Sequence, residues 1–144
     1  MHIVIGGAYN GKANWVKSHY KLTERKDYVW HSAYKDSMLP RNLAQYNSSF
    51  VILEGIEHWV KGIVDEALPN AYEEAVKVIE AWLNWSNQSS NQLVLIGTDI
   101  SKGIVPIDQK DRTWRDVTGY LYQRIAKEAT TVHYIWYGIA KQLK

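Results

Sequence analysis

Gly6-Gly7-Ala8-Tyr9-Asn10-Gly11-Lys12-Ala13 follows the apolar run His2 to Ile5 and leads into residues at helical spacing. Strand, glycine-rich loop and helix, in that order, form the context of a phosphate-binding loop of the pattern G-x-x-x-x-G-K. Glycines let the backbone turn tightly and aim successive N–H groups inward, and the next helix adds the positive end of its dipole. Lys12 supplies a point charge able to follow the β and γ phosphates of a nucleotide. The candidate nucleotide-binding residues are therefore Gly6, Gly7, Ala8, Tyr9, Asn10, Gly11, Lys12 and Ala13. The last departs from the pattern, because a Ser or Thr hydroxyl at that point ligates the magnesium ion of the nucleotide. Taken alone, the eight residues also read as an ordinary turn between a strand and a helix.

Beyond the loop, strand and helix alternate. A helix is expected from Gly11 to about Leu22, with Trp15, Val16, His19 and Tyr20 on a shared face, and a short strand over Tyr28 to Trp30. Ser49 to Gly55 is a continuous apolar strand ending in a carboxylate. Helices over Ile56 to Glu66 and Asn70 to Trp85 follow, punctuated by Pro69, with Ala71, Ala75, Val78, Ile79 and Trp82 at helical spacing. After the polar turn Ser86 to Asn91 come a strand over Gln92 to Gly97, a helix over Arg112 to Ala129 and a last strand over Thr131 to Tyr137. Unbroken apolar strands between helices predict an α/β fold with a mostly parallel sheet flanked by helices.

The 144 residues suit a single domain with one substantial core. No apolar run approaches the ~18 residues of a membrane span, and the expected location is the cytoplasm. The absence of cysteine excludes disulfides, thiolate nucleophiles and zinc-thiolate centres. A net charge of +2, without a sustained basic block, gives no case for a nucleic-acid partner. Seven tryptophans and ten tyrosines supply either packing or stacking surfaces, and packing is the plainer reading.

In such sheets ligands sit at the carboxyl ends of the strands. The loop after the first strand, Glu54 after V-I-L and Thr98-Asp99 after V-L-I-G converge on that edge. Glu54 stands where an acid holds magnesium directly or through water, which makes it a candidate catalytic and metal residue beside Lys12, with Asp99 a second metal candidate. A carboxylate there also suits the start of the next helix.

The stretch Thr98-Asp99-Ile100-Ser101-Lys102-Gly103-Ile104-Val105-Pro106, followed by Arg112, Trp114-Arg115-Asp116, Gly119 and Gln123, carries a more specific resemblance. It is similar to the signature of the adenosylcobinamide kinase and adenosylcobinamide-phosphate guanylyltransferase family, which reads N-E-V-G-x-G-I-V-P and then R-x-F-R-D-x-x-G-x-x-N-Q. The front end resembles the family's G-G-A-R-S-G-K-S, and Leu53-Glu54 its L-L-E. The resemblance implies a P-loop NTPase fold of RecA-like type and homo-oligomers. It also implies phosphorylation of a corrinoid, adenosylcobinamide, with GTP or ATP and Mg2+, followed by GMP transfer through a guanylylated histidine. His31 and Ser32 correspond to a short family segment that touches the nucleotide.

The departures are equally specific. Ala13 replaces the magnesium-binding Ser, Tyr9-Asn10 replaces Arg-Ser, Thr98-Asp99 replaces Asn-Glu, Ser101 replaces Gly, and Tyr122 replaces Asn. The family's D-x-E-M-x-x-R-I-x-x-H-R-x-x-R-P-x-x-W segment, with its guanylylated histidine, is reduced here to Lys35 to Asn47, which contains no histidine. Phosphoryl transfer needs positioning and charge neutralisation, so a water can stand in for a lost hydroxyl; a covalent guanylyl intermediate has no such substitute. The expectation is a nucleotide-binding protein of cobalamin biosynthesis or salvage in which kinase activity is in doubt and guanylyl transfer is not expected. The alternative is a non-catalytic relative that kept the fold.

Overall fold

The computed structural model describes residues 1–144. Its elements are β1 (His2–Gly6), α1 (Lys12–His19), β2 (Val29–Ser32), β3 (Phe50–Glu54), α2 (Ile56–Ala67), α3 (Ala71–Ser86), β4 (Gln92–Thr98), α4 (Gln109–Glu128), β5 (Thr131–Trp136) and β6 (Ile139–Gln142), with single 3-10 turns at Leu22–Glu24 and Leu43–Gln45. The six strands form one sheet in the order β2-β3-β4-β1-β5-β6. The first five are parallel and β6 pairs antiparallel with β5.

β3 and β4 lack a polar alternation because both of their faces are covered. One face carries α2, α3 and α4 over a core that includes Ile3, Val51, Leu53, Leu93 and Leu95. The stripe Ala71, Ala75, Val78, Ile79 and Trp82 is buried there, and Trp82 Nε1 donates to Pro40 O at 2.6 Å, so the large indole is buried without leaving its N–H unpaired. Leu53 is fully buried at the centre of this layer, and truncating such a residue to Ala costs about 2–5 kcal/mol. The opposite face has only α1 and the first 3-10 turn over Val4, Val16, Leu22, Ile52, Val94 and Ile96.

This division creates the crevice. The connection after β1 runs through α1 on one face, whereas the connection after the neighbouring β4 runs through α4 on the other. The two strands stay paired to Gly6 and Thr98, and it is the connections leaving their carboxyl ends that diverge to opposite faces, which makes a topological switch point.

Several boundaries differ from the sequence expectation. α1 stops at His19, not Leu22, because Lys21 takes a left-handed backbone (φ 49°) before the 3-10 turn. β2 runs to Ser32, so His31 lies inside the strand and not after it. α4 starts at Gln109, three residues early, where Asp108 Oδ1 accepts from the N–H groups of Lys110 and Asp111. β6 was not anticipated. Tyr137 and Gly138, both at positive φ, make the two-residue turn that returns it along β5. Gly138 N–H donates to Asn10 O at 2.8 Å, which ties this hairpin to the glycine-rich loop.

At the amino-terminal end of β1, far from that loop, His2 is 5% exposed. Its Nδ1 lies 2.6 Å from the Tyr20 hydroxyl and its Nε2 lies 2.9 Å from His133 Nδ1. Trp15 stacks on His19 at 4.5 Å beside them. Much of the aromatic excess on this face is packing of imidazole, indole and phenol rings, and it removes His2, His19 and His133 from the loop.

Candidate functional site

The glycine-rich loop joins β1 to α1 at the crevice. Gly11, at φ 86°, turns the chain into α1, a conformation that a side chain would strain. No side chain caps α1. Its first N–H groups, beginning at Lys12, have no carbonyl within the helix to donate to, and they carry the positive end of the dipole. Lys12 is nearly buried, and its Nζ donates to Gly6 O at 3.1 Å and Gly7 O at 2.8 Å. Burial lowers the Lys12 pKa, while the carboxylates of Glu57 and Glu54 act in the opposite direction.

A cavity of about 630 Å³ opens over the loop, lined by Ala8 to Asn14, Tyr34, Glu54, Glu57, His58, Thr98 and Trp114 among others. A second cavity of about 550 Å³ adjoins it, with Lys17, Trp30, His31, Ser32, Lys35 and Asp36 in its lining. Ala13, Tyr34 and Glu54 line both and so separate the two.

The candidate residues thus fall into groups. Ala8, Tyr9, Asn10, Gly11, Lys12, Ala13 and Glu54 share the first cavity, while Gly6 and Gly7 contribute the carbonyls that hold Lys12. His31 and Ser32 belong to the second. His31 stacks on Trp59 at 5.4 Å, its Nε2 lies 3.1 Å from Met38 O, and the buried Ser32 hydroxyl has no hydrogen-bond partner. Glu54 Oε2 accepts from Trp30 Nε1 at 2.9 Å. It does not cap α2, whose N-cap is Gly55 with no side-chain cap bond.

Asp99 does not join Glu54. It lines a separate groove between α4 and β5, where its Oδ1 accepts from the Ser101 N–H at 3.1 Å and the Ser101 hydroxyl at 2.5 Å, and Lys102 Nζ lies 3.6 Å from its Oδ2. No three acidic or histidine side chains are grouped so as to hold a metal. Of the carboxylates that line the first cavity, Glu54 has one oxygen engaged by an indole and the other without a protein partner. That fits an ion held chiefly by nucleotide phosphates and water, the usual manner of Mg2+.

The sequence reading missed Glu57. It is 2% exposed, yet it lines the first cavity from the first turn of α2. Its Oε1 accepts from Tyr34 Oη at 2.6 Å, and its Oε2 from Thr98 N at 2.9 Å and Tyr122 Oη at 3.2 Å. Tyr122 also donates to Thr98 O at 3.2 Å, and it fits because Gly97 has no Cβ, which would lie 2.1 Å from Tyr122 Oη. Burial and the Glu57 charge push the phenol pKa values of Tyr34 and Tyr122 upward. The available signal was a second carboxylate three residues after Glu54, in the first turn of the helix that follows it in E-G-I-E.

The arrangement combines uncapped N–H groups at the start of α1, a lysine and two carboxylates at the switch point of a mostly parallel sheet, with a second cavity alongside. The family model for cobinamide kinase / cobinamide phosphate guanyltransferase matches residues 16–143, beginning inside α1 just after the loop. No curated protein matches the chain.

Proposed function

The chain belongs to the cobinamide kinase / cobinamide phosphate guanyltransferase family, and from that premise we propose that it binds GTP or ATP over the Gly6 to Ala13 loop and keeps the kinase half of the family chemistry without the guanylyl half. The observation that carries this reading is the shared wall of Ala13, Tyr34 and Glu54 between the loop cavity and its neighbour. A phosphoryl donor on one side then faces an acceptor on the other, as direct transfer requires.

In this reading the N–H groups at the start of α1 bind phosphate oxygens, and Lys12 turns from the Gly6 and Gly7 carbonyls to the β and γ phosphates. Glu54 holds magnesium, whose chemistry is to neutralise charge that develops on the phosphates. The acceptor is the hydroxyl of a cobinamide-type corrinoid, which places the protein in cobalamin biosynthesis or salvage. The exposed apolar residues Trp136, Ile139 and Leu143 along β5–β6 suit a homo-oligomeric contact. No helix is long and apolar enough to cross a membrane, and a cytoplasmic location is part of the proposal.

Ala13 favours a second reading, a non-catalytic nucleotide-binding protein on the same fold. Calorimetric titration with GTP and ATP, with and without magnesium, followed by phosphorylation assays with adenosylcobinamide, separates the two. Binding without turnover selects the second reading, and absence of binding defeats both.

A further inference from the structure

The phosphoryl-transfer reading leaves open how the acceptor hydroxyl loses its proton. We propose that Tyr34 is the catalytic residue that receives this proton and that Glu57 is the positioning residue that draws the phenol's own proton onward. The inference rests on the kinase reading above and adds its acceptor side.

Tyr34 stands at the one place such a residue can serve both substrates, on the wall between the loop cavity and the second cavity. Tyr34 is 53% exposed; its proton is committed to Glu57 Oε1 at 2.6 Å and Thr98 Oγ1 lies 3.4 Å from its hydroxyl oxygen, which leaves one lone pair for a bound hydroxyl. The raised phenol pKa keeps that proton on Tyr34 at rest, so the ring is a relay and not a free phenolate. The two oxygens of Glu57 are used differently. Oε2 is held by Thr98 N and Tyr122 Oη, whereas Oε1 meets only Tyr34 and is free to take a proton.

The step balances as follows. The acceptor oxygen attacks the γ-phosphorus as its O–H bond breaks and that proton passes to Tyr34 Oη. The original Tyr34 proton passes to Glu57 Oε1, leaving a neutral carboxylic acid. The bond from the γ-phosphorus to the β,γ-bridging oxygen breaks, and the nucleoside diphosphate leaves with the electron pair. Proton transfer by a positioned group of this kind contributes about 10²- to 10⁴-fold to a rate.

The test uses the full chain with magnesium and GTP or ATP, and adenosylcobinamide as acceptor. Tyr34→Phe keeps the ring and its edge contact with His58 at 4.8 Å, so folding is preserved. Expected are a fall in kcat of about 10²-fold or more, nucleotide affinity by calorimetry changed by less than about two-fold, and loss of the solvent deuterium isotope effect on kcat. Glu57→Gln keeps one carbonyl oxygen for the Thr98 N–H and Tyr122 and turns an NH2 group, which takes no proton, towards Tyr34; it should reproduce the kcat loss and leave nucleotide affinity in place. Unchanged kcat and isotope effect in Tyr34→Phe overturn the relay while leaving the kinase reading intact. Wild-type protein that binds nucleotide but does not phosphorylate overturns the relay and the kinase reading together, and nucleotide binding stands.

Discussion

Lys12 Nζ sits 2.8 Å from Gly7 O and 3.1 Å from Gly6 O, so the cation of the loop is folded back onto the loop's own carbonyls. An arriving polyphosphate must replace both contacts, and the gain from Lys12 is the difference between two sets of hydrogen bonds. Hydrogen bonds to charged groups contribute about 1.5–3 kcal/mol. Lys12→Ala is therefore expected to weaken triphosphate binding within that range, measured by calorimetry. Unchanged affinity would take the loop out of the site.

Ala13 lines both cavities at the start of α1. Ala13→Ser places a hydroxyl where only water can now help coordinate the magnesium of a bound nucleotide. Nucleotide affinity should rise in the presence of magnesium and stay the same with chelator. Equal affinities in all four conditions would show that the metal does not reach this position.

Histidine chemistry divides cleanly. His2, His19 and His133 cluster together outside both cavities, His31 lines the second cavity, and His58 alone lines the loop cavity. A guanylylated imidazole needs to stand in line with the α-phosphate. Incubation with GTP is expected to leave the intact mass unchanged. An acid-labile gain of one GMP that disappears in His58→Ala would restore guanylyl transfer.

The buried imidazole pair predicts acid sensitivity. Burial, and then the charges of His133 and His19, lower the His2 pKa to about 4, and burial also lowers that of His133. In the unfolded chain an imidazole titrates near 6.5. The neutral form is thus favoured by folding, with the stabilisation fully present above about pH 6.5 and lost as the pH falls through about 4. Tm should drop by several degrees across this window, where most carboxylates are still ionised. His2→Phe should flatten the profile, and a profile as steep as wild type would assign the loss to other groups.

Gly97→Ala would drive a methyl group into Tyr122 Oη. Overpacking of this kind costs about 1–3 kcal/mol, and it also breaks the contacts of Tyr122 with Glu57 and Thr98 O. Denaturant unfolding should show the loss, and the double variant Gly97→Ala with Tyr122→Phe should recover part of it. No recovery would assign the loss to the ring carbon, which a Cβ would meet at 2.7 Å and which Phe retains.

The parallel core was readable because its strands are short, unbroken apolar runs and α3 shows a clean helical stripe. β6 was not readable, since Ile139-Ala140-Lys141-Gln142 is a mixed, exposed edge strand whose only local mark is the turn at Tyr137-Gly138. In the site, Lys12 and Glu54 follow from motif and strand end, and the structure places them on one cavity. Glu57 did not follow, because a carboxylate in the first helical turn has an ordinary explanation in the helix dipole. Only the tertiary approach of Tyr34, Thr98 and Tyr122 shows otherwise. Asp99 illustrates the converse, since its strand-end position says nothing about the groove it faces.

The Gly138 to Asn10 hydrogen bond gives the edge hairpin a role in binding entropy. A glycine-rich loop ordinarily loses much backbone freedom when it closes on an anion, at about 1–2 kcal/mol per residue fixed. Here the crown of the loop is already pinned to β5–β6 through one main-chain bond, so part of that ordering is complete before any ligand arrives. The same bond makes the Gly138 amide a reporter. Its hydrogen-exchange rate should follow the opening of the loop, and a nucleotide bound there as proposed should slow it without touching the hairpin.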